Sequence, residues 1–490
     1  MARDSGHAFA AQSHDLLIGG AWATARGGAI PVVDPSTEEE IGTIPAANEA
    51  DVDDAVRAAQ GAMRAARSGG WTPAARTQAL SRLADAIEAD AEAFAQIEMR
   101  DAGKPIRNAR MVDVPGAAAA LRYFAGWASK ISGESMELSA PGRWHAYTLR
   151  EPVGVVGQII PWNYPLMGAA MKIGPAIAAG CAVVLKPAEQ TSLSALRLGA
   201  LLADAGFPDG MINIVTGYGP EAGAALVRHP GVAKISFTGS TATGRTIIAG
   251  AAATMKRVTV ELGGKSPVVV LPDADIEAAA RAIAMNIFFN SGQTCSAGSR
   301  LLADRNVADE LTGRIAEIAR SMRLGPAHDE ATQIGPVISN NQRARIAGYV
   351  DSARKDGATV IACGEAPSGR GYFVPPTLLM DLRSDAAAAQ EEIFGPVLTI
   401  LPFDTHDLDE IAMLANDSAY GLSAYVWTRD FARAHGLIAR LKAGTVRVNA
   451  ASGADFAMPV GGCKQSGFGR ENGRLGVEAY TEVKSVTLAY

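Results

Sequence analysis

The chain has 490 residues, 48% of them hydrophobic and 20% charged, a balance that belongs to a globular protein and excludes an intrinsically disordered one. At about 150 residues per domain this length holds two to four domains, each with a full core. Lys and Arg total 45 against 51 Asp and Glu, a net charge of −6. With no single-sign block, that argues against a nucleic-acid partner, because phosphate binding needs concentrated positive charge.

From the N-terminus, the segment MARDSGHAFAAQSHD has no apolar core of the kind a secretory signal needs. Thr72 and Pro73 predict an N-cap and a first helical residue. Leu80, Leu83, Ile87, Phe94 and Ile97 continue at helical spacing until Gly103 and Pro105 stop the helix. Residues 143–150 read as an isolated strand. Residues 153–185 carry only Lys172 as a charge, but Pro161, Asn163, Pro165 and Pro175 keep the run short of a membrane span, so buried core is expected. Ala182–Lys186 predicts a buried strand, residues 192–206 a helix, and KISFTG (234–239) and VTVEL (258–262) further strands. Residues 266–289 read as strand, capped turn and helix. After Val307 a helix runs to about Met322, and strand and helix units continue to GTVRVNA at 444–450. A last strand-like segment covers 483–489. Because isolated strands such as this one and 143–150 often pair between subunits, an oligomer is expected. Short β-branched runs alternating with helices predict an α/β fold with parallel sheets.

Four cysteines (Cys181, Cys295, Cys363, Cys463) without a C-x-x-C pair argue against a disulfide scaffold or a zinc knuckle, and for a reducing, cytoplasmic setting. No metal cluster is expected. Of the four, Cys295 alone lies among small polar residues, FFNSGQTCSAGSR at 288–300, where a substrate could reach the sulfur and backbone N–H groups could hold an oxyanion. The competing reading is a buried structural cysteine. Glu261 ends the VTVEL strand before Gly263 and Gly264; desolvation there would raise its pKa toward the range of a general base. Asn163 stands between two prolines in PWNYP, so its amide would be rigidly aimed, although turn asparagines are common. FTGSTATGRT (237–246) offers a helix N-terminus for phosphate and nearly matches a P-loop, with Arg245 where lysine is required. G-x-G-x-x-G is absent, so any dinucleotide must sit on a different turn. KPAEQT (186–191) places Lys186 and Glu189 at a strand's carboxyl end, where adenosine riboses are held.

PWNYP, KPAEQT, FTGS, ELGGKS, GQTCSAGSR, EEIFGPV (391–397) and GGCKQSGFGRE (461–471) together resemble, in order and approximate spacing, the NAD(P)-dependent aldehyde dehydrogenase superfamily. The resemblance spans nearly the whole chain. It implies Cys295 as the nucleophile, Asn163 with the Cys295 N–H as the oxyanion hole, and Glu261 as the base that activates water for thioester hydrolysis. Lys172 and Glu471 would support Glu261, with a part in proton transfer. NAD would be contacted by Ile160, Trp162, Lys186, Glu189, Gly219, Phe237, Ser240, Leu262, Glu392 and Phe394. Tyr164, Met171, Phe289, Thr294, Ser296, Phe456 and Val460 would line the aldehyde tunnel. Arg257, Arg470 and Glu482 would form a structural ion-pair network.

Glu261 implies hydrolysis to the free acid rather than transfer to coenzyme A. Glu189 implies NAD over NADP, since its carboxylate repels a 2′-phosphate. Met171 and Val460 stand where many relatives carry aromatic rings, which implies an uncharged aromatic or medium-chain aldehyde rather than a quaternary ammonium. The implied architecture is a Rossmann-type NAD-binding domain (1–128 and 149–262), an α/β catalytic domain (263–465) and a small β oligomerisation flap with the tail (129–148 and 466–490), assembled as a homodimer or homotetramer. Two rivals belong to other classes. A thiol hydrolase or esterase using Cys295 would leave KPAEQT and EEIFGPV without a purpose, and a catalytically silent scaffold would not need Cys295 or Glu261.

Overall fold

A computed structural model describes Phe9, residues 14–451, Gly453 and residues 455–490. Most of the segment that argues against a secretory signal lies outside the described residues. No helix of the described residues is long and apolar enough to cross a membrane.

Two large sheets organise the chain. In the eight-stranded sheet the parallel strands run in the order Arg257–Glu261, Lys234–Thr238, Val155–Ile159, Ala182–Lys186 and Ile212–Ile214. Antiparallel strands Leu16–Ile18 and Ala21–Ala23 extend one edge, and Gly467–Phe468 closes the other against Val260 and Glu261. The parallel part starts at Val155–Ile159, winds outward on one side, then returns to place Lys234–Thr238 on the other. The topological switch point therefore lies beside Val155–Ile159, and ligands bind outside the strands' carboxyl ends at such a point.

The seven-stranded sheet follows the order Thr359–Ala362, Thr377–Met380, Val397–Phe403, Arg300–Asp304, Pro267–Val270, Ser423–Trp427 and Thr445–Val448, parallel except for its first strand. Its sequence alternation sorts side chains to two covered faces. Val268, Val270, Leu301 and Ala303 pack with the helices Ile276–Phe288 and Arg305–Ser321, while Val269, Leu271 and Leu302 pack toward Leu408–Asn416 and Phe431–Arg440. The chain passes from one sheet to the other through Leu262–Ser266 and back ahead of Gly467–Phe468. Glu261 is thus held beside both crossings.

The segments 143–150 and 483–489 do not wait for another subunit. Trp144–Pro152 and Thr481–Ala489 pair with each other along nine residues within one chain, with Ser135–Met136 on the far side of the first strand. The strand continues through Pro152, past residue 148.

The predicted N-cap at Thr72 is present: its hydroxyl accepts from the Ala75 N–H at 3.2 Å and Pro73 opens the helix Pro73–Ala89. The single helix expected as far as Gly103 is instead two, Pro73–Ala89 and Ala91–Asp101. Asp90 breaks it, because its carboxylate is held by Arg197, Nε donating at 2.7 Å and one terminal nitrogen at 3.1 Å. Residues 192–206 likewise form two short helices, Leu193–Gly199 and Leu202–Ala205. The Asp90–Arg197 pair is buried, and removing one partner of such a pair costs about 3–5 kcal/mol. Asp90→Ala is accordingly expected to lower the free energy of unfolding, measured by urea titration, by that amount; a loss under about 1 kcal/mol would show that other contacts hold the break.

Candidate active site

Cys295 lies in the stretch that joins the helix Ile276–Phe288 to the strand Arg300–Asp304. Before it the backbone enters the left-handed region at Asn290 (φ 51°), Ser291 (φ 55°) and Gly292 (φ 73°). The first two positions are strained by about 1–3 kcal/mol each, so other contacts must impose them. They do: Ser291 Oγ donates to the Gly335 carbonyl at 2.7 Å, Asn290 Nδ2 donates to the Asn163 carbonyl at 3.1 Å, and the Ile338 N–H donates to Gln293 Oε1 at 2.9 Å. Gly292 admits no other residue, since a Cβ would run into the Gly395 carbonyl. The strain presents Cys295 as a half-buried free thiol.

Asn163 reaches the same stretch from the other sheet. It follows Val155–Ile159 and its Nδ2 donates to the Gln293 carbonyl at 2.9 Å, which leaves the second N–H of the amide for a ligand. Beside it, Tyr164 and Thr294 share a 2.9 Å hydrogen bond between their hydroxyls.

Glu261 is 6% exposed and neither carboxyl oxygen has a hydrogen-bond partner among the described residues. Burial drives its pKa well above the ordinary carboxylate value, and the neighbouring Glu471 charge adds to this, while Lys172 and Arg470 oppose it. Lys172 and Glu471 are paired with each other: the Lys172 ammonium is ion-paired with Glu471 and donates to Ser236 Oγ at 3.0 Å, and Ser236 donates to Glu471 at 3.2 Å. The backbone of Glu471 bridges Val460, N–H to carbonyl both ways at 2.7 Å, so Val460 and the Glu261 support are fixed together. Burial pushes the Cys295 thiol up to about 12; the carboxylates of Glu392 and Glu261 add to the rise, and the N–H groups of Ser296 and Cys295 oppose it.

The expected cofactor residues gather at the carboxyl ends of the eight-stranded sheet. Ile160 and Trp162 follow one strand, and Lys186 ends the next with Nζ 3.1 Å from Glu189. Phe237 belongs to Lys234–Thr238, and Ser240 caps the helix Thr241–Ala252, accepting from the Thr243 N–H at 3.2 Å. Gly219 opens a short turn of wide helix, Gly219–Gly223, beyond Ile212–Ile214. Leu262 lies against Gly244 on the helix that Ser240 caps. Trp162 and Phe394 meet edge to face at 5.3 Å, which brings EEIFGPV over the same crevice. Glu392 accepts from the Gly264 N–H at 2.8 Å and is raised by burial to about 7. Arg245, the residue that spoils the P-loop match, donates to Gln465 instead of turning toward the helix start.

Of the tunnel residues, Tyr164, Thr294 and Ser296 adjoin Asn163 and Cys295. Met171 and Phe456 are partly buried against the core of the eight-stranded sheet, and Phe289 ends the helix before the strained turn. One expectation is corrected. Arg257 and Glu482 are ion-paired, but Arg470 stands apart from them and donates to the carbonyls of Gly462 (3.0 Å) and Gly469 (2.6 Å), because its loop turns it toward Glu261. The residue types did not single out Gln293, Ser236 or Lys104, though all three bond directly to expected site residues. Lys104 sat between the helix-stopping Gly103 and Pro105 and was hidden by them. Among the described residues no group of His, Cys, Asp and Glu could hold a metal ion.

Comparison with known proteins agrees with this geometry. Residues 22–486 match the model of the aldehyde dehydrogenase family. The chain is 43% identical over 487 residues to the phenylacetaldehyde dehydrogenase of Pseudomonas fluorescens, covering 97% of this chain and 96% of that one. It is 45% identical over 460 residues to the mitochondrial aldehyde dehydrogenase of Rattus norvegicus, covering 94% and 88%. The structure superposes with a TM-score of 0.95 on an NAD+ complex of aldehyde dehydrogenase from Bacillus cereus, at 43% identity and 98% coverage of each chain. The chain belongs to the aldehyde dehydrogenase family.

Raising the folded-state pKa of Glu261 has a consequence for stability. Between the ordinary carboxylate value and the raised one, the folded chain keeps a proton that the unfolded chain has released, so stability falls as pH rises through that window. Glu261→Gln removes the loss. Calorimetry is expected to find its Tm above that of the wild type at about pH 8.5 and level with it near about pH 4. A difference that does not change with pH would contradict a raised carboxyl.

Proposed function

We propose that the protein oxidises an aldehyde to the carboxylic acid with NAD, through covalent attachment at Cys295 and hydrolysis by a water that Glu261 activates. The observation that carries this reading is the convergence, where the two sheets meet, of a reachable thiol, an amide with a free N–H and a buried carboxyl without partners. Together they supply nucleophile, oxyanion donor and base. The resemblance of the fold to an NAD+ complex, and the family shared with it, support the cofactor.

The residues around the crevice fit a dinucleotide. The switch point of the sheet opens there, the helix Thr241–Ala252 turns its N-terminus and Ser240 toward it, and Lys186 with Glu189 stands where a ribose would be bonded. Glu392 would meet the second ribose and Phe394 would pack beside the nicotinamide. When bound, NAD supplies the acceptor for the hydride.

Cys295 forms a C–S bond to the aldehyde carbon as its thiol proton passes to water. The carbonyl oxygen becomes an oxyanion, and the second Asn163 N–H and the Cys295 N–H stabilise it. Loss of hydride leaves a thioester on Cys295. Glu261 then takes a proton from water as the water oxygen bonds to the acyl carbon, the C–S bond breaks and the thiol is regenerated. A carboxyl with a raised pKa is suited to this, being strong enough as a base when ionised and available near neutral pH. Lys172 and Glu471 pass the proton on from Glu261.

The substrate we favour is an uncharged aromatic or medium-chain aldehyde. Met171, Phe289, Phe456 and Val460 present no charge, and a relative at 43% identity is named for phenylacetaldehyde. Glu189 favours NAD over NADP. We assign residues 1–128 and 149–262 to cofactor binding, 263–465 to catalysis and 129–148 with 466–490 to an oligomerisation flap in a homodimer or homotetramer, working in the cytoplasm.

NADH absorbance with NAD and a panel of aliphatic, benzylic, amino and carboxylated aldehydes tests the reading. Turnover is expected on the uncharged classes, and Cys295→Ala is expected to abolish it while still binding NAD. Turnover of charged aldehydes alone would overturn the substrate assignment, and turnover by Cys295→Ala would overturn the mechanism.

A further inference from the structure

Lys104 is 1% exposed and lies just after Gly103, where the backbone turns through φ 68° to leave the helix Ala91–Asp101. Burying an ammonium is costly unless every N–H is matched. Here the matches are specific. Lys104 Nζ is ion-paired with the fully buried Asp113, donates to the main-chain carbonyl of Asn163 at 3.0 Å, and sits 4.1 Å from the centroid of the Tyr164 ring. The last distance is that of a cation over an aromatic face.

Asp113 reaches Lys104 from a turn of wide helix, Ala109–Asp113, inserted between the helical segments Ile106–Asn108 and Val114–Ala125. Such bulges are frequent at functional sites, because they re-aim one side chain at the expense of regular backbone hydrogen bonding. The residue re-aimed here is the counter-ion of Lys104.

A buried ion pair that served only to hold the fold could end on any carbonyl. This one ends on the carbonyl of the residue whose side-chain amide faces the cysteine loop. The Asn163 carbonyl takes two donors, Lys104 Nζ at 3.0 Å and Asn290 Nδ2 at 3.1 Å, and the Asn163 amide donates to Gln293 at 2.9 Å. Pro161 and Pro165 restrict the chain on either side. The backbone from which the amide hangs is therefore clamped from below by Lys104 and from the side by Asn290. An oxyanion donor has to be held to within about 0.5 Å to be effective, and a clamped backbone achieves this where a free loop would not.

We propose that Lys104 is a positioning residue for aldehyde oxidation. Through the Asn163 carbonyl it fixes the amide that receives the oxyanion, with the Tyr164 ring packed against its charge and Asp113 as its counter-ion. This rests on the reading of Asn163 as the oxyanion donor.

A double-mutant cycle separates the two. The full-length protein is mixed with NAD and phenylacetaldehyde, or acetaldehyde where the former is not turned over, and the rate of the first turnover of NADH is recorded. Asn163→Ala is expected to slow it by about 100- to 1,000-fold, the usual loss for one oxyanion donor. Lys104→Met, which keeps the length of the side chain and removes its charge, is expected to slow it by about 10- to 100-fold with the KM for NAD unchanged. The double variant is expected to match Asn163→Ala alone, because a residue that acts through Asn163 has nothing left to position. Losses that multiply in the double variant would overturn the proposal, as would an undiminished first turnover in Lys104→Met. An undiminished turnover in Asn163→Ala would instead remove the oxyanion assignment and the proposal with it. If Lys104→Met does not fold, the same cycle is run with Lys104→Met/Asp113→Asn, which also removes the stranded carboxylate.

Discussion

The hydrogen bond from Asn163 Nδ2 to the Gln293 carbonyl joins the two halves of the active site. Asn163 hangs from the end of Val155–Ile159 in the eight-stranded sheet, and Gln293 from the turn that feeds Arg300–Asp304 in the seven-stranded one. Neither sheet contains a complete site. In the site we propose, the first brings the amide donor and Glu261 at its strand ends, the second brings the thiol, and this contact joins them. Unusual features flank it: left-handed backbone at Asn290 and Ser291, the glycine that alone fits against Gly395, and the prolines around Asn163. Strain of this kind persists only where surrounding contacts over-determine it, which they do here through Ser291, Asn290 and Gln293.

Desolvation is the second theme. Burial raises Glu261, Glu392 and Cys295 alike, and the two carboxylates add to the rise at the thiol. Their protonation is coupled: when one carboxyl is neutral the thiolate is easier to form, and when the thiolate is present the carboxyls hold their protons more tightly. In the free chain burial thus favours the protonated thiol over the thiolate. Attack on an aldehyde then requires that the proton leave as the C–S bond forms and as negative charge moves to the oxygen that Asn163 faces. In the mechanism we propose, the same environment suits Glu261 to act as the base in the second half of the reaction.

The residues to which we assign chemistry are legible in the sequence because they sit where backbone geometry concentrates function. Glu261, Lys186 and Asn163 end strands or follow them directly, and Cys295 stands in the one polar turn among four cysteines. The α/β class was legible from alternation alone. What local pattern does not carry depends on partners distant in sequence. Asp90 breaks a regular apolar repeat because Arg197, more than one hundred residues away, holds its carboxylate. The terminal strand finds Trp144–Pro152 within its own chain, a pairing that local pattern cannot distinguish from pairing between subunits. Lys104 was masked by the glycine and proline on either side, and its importance lies wholly in the carbonyl and ring it touches. Arg470 carries a charge that suits an ion pair, yet its loop gives it carbonyls instead.

The account rests most heavily on a covalent intermediate at Cys295 whose removal requires Glu261. The measurement that tests this most directly is mass spectrometry of Glu261→Gln after a single mixing with NAD and an aldehyde that the wild type oxidises. The account predicts NADH in proportion to enzyme, then a stall, with the mass of one acyl group added to the peptide that contains Cys295. NADH formed in repeated turnovers with no added mass, or an acyl group on a different residue, would contradict it.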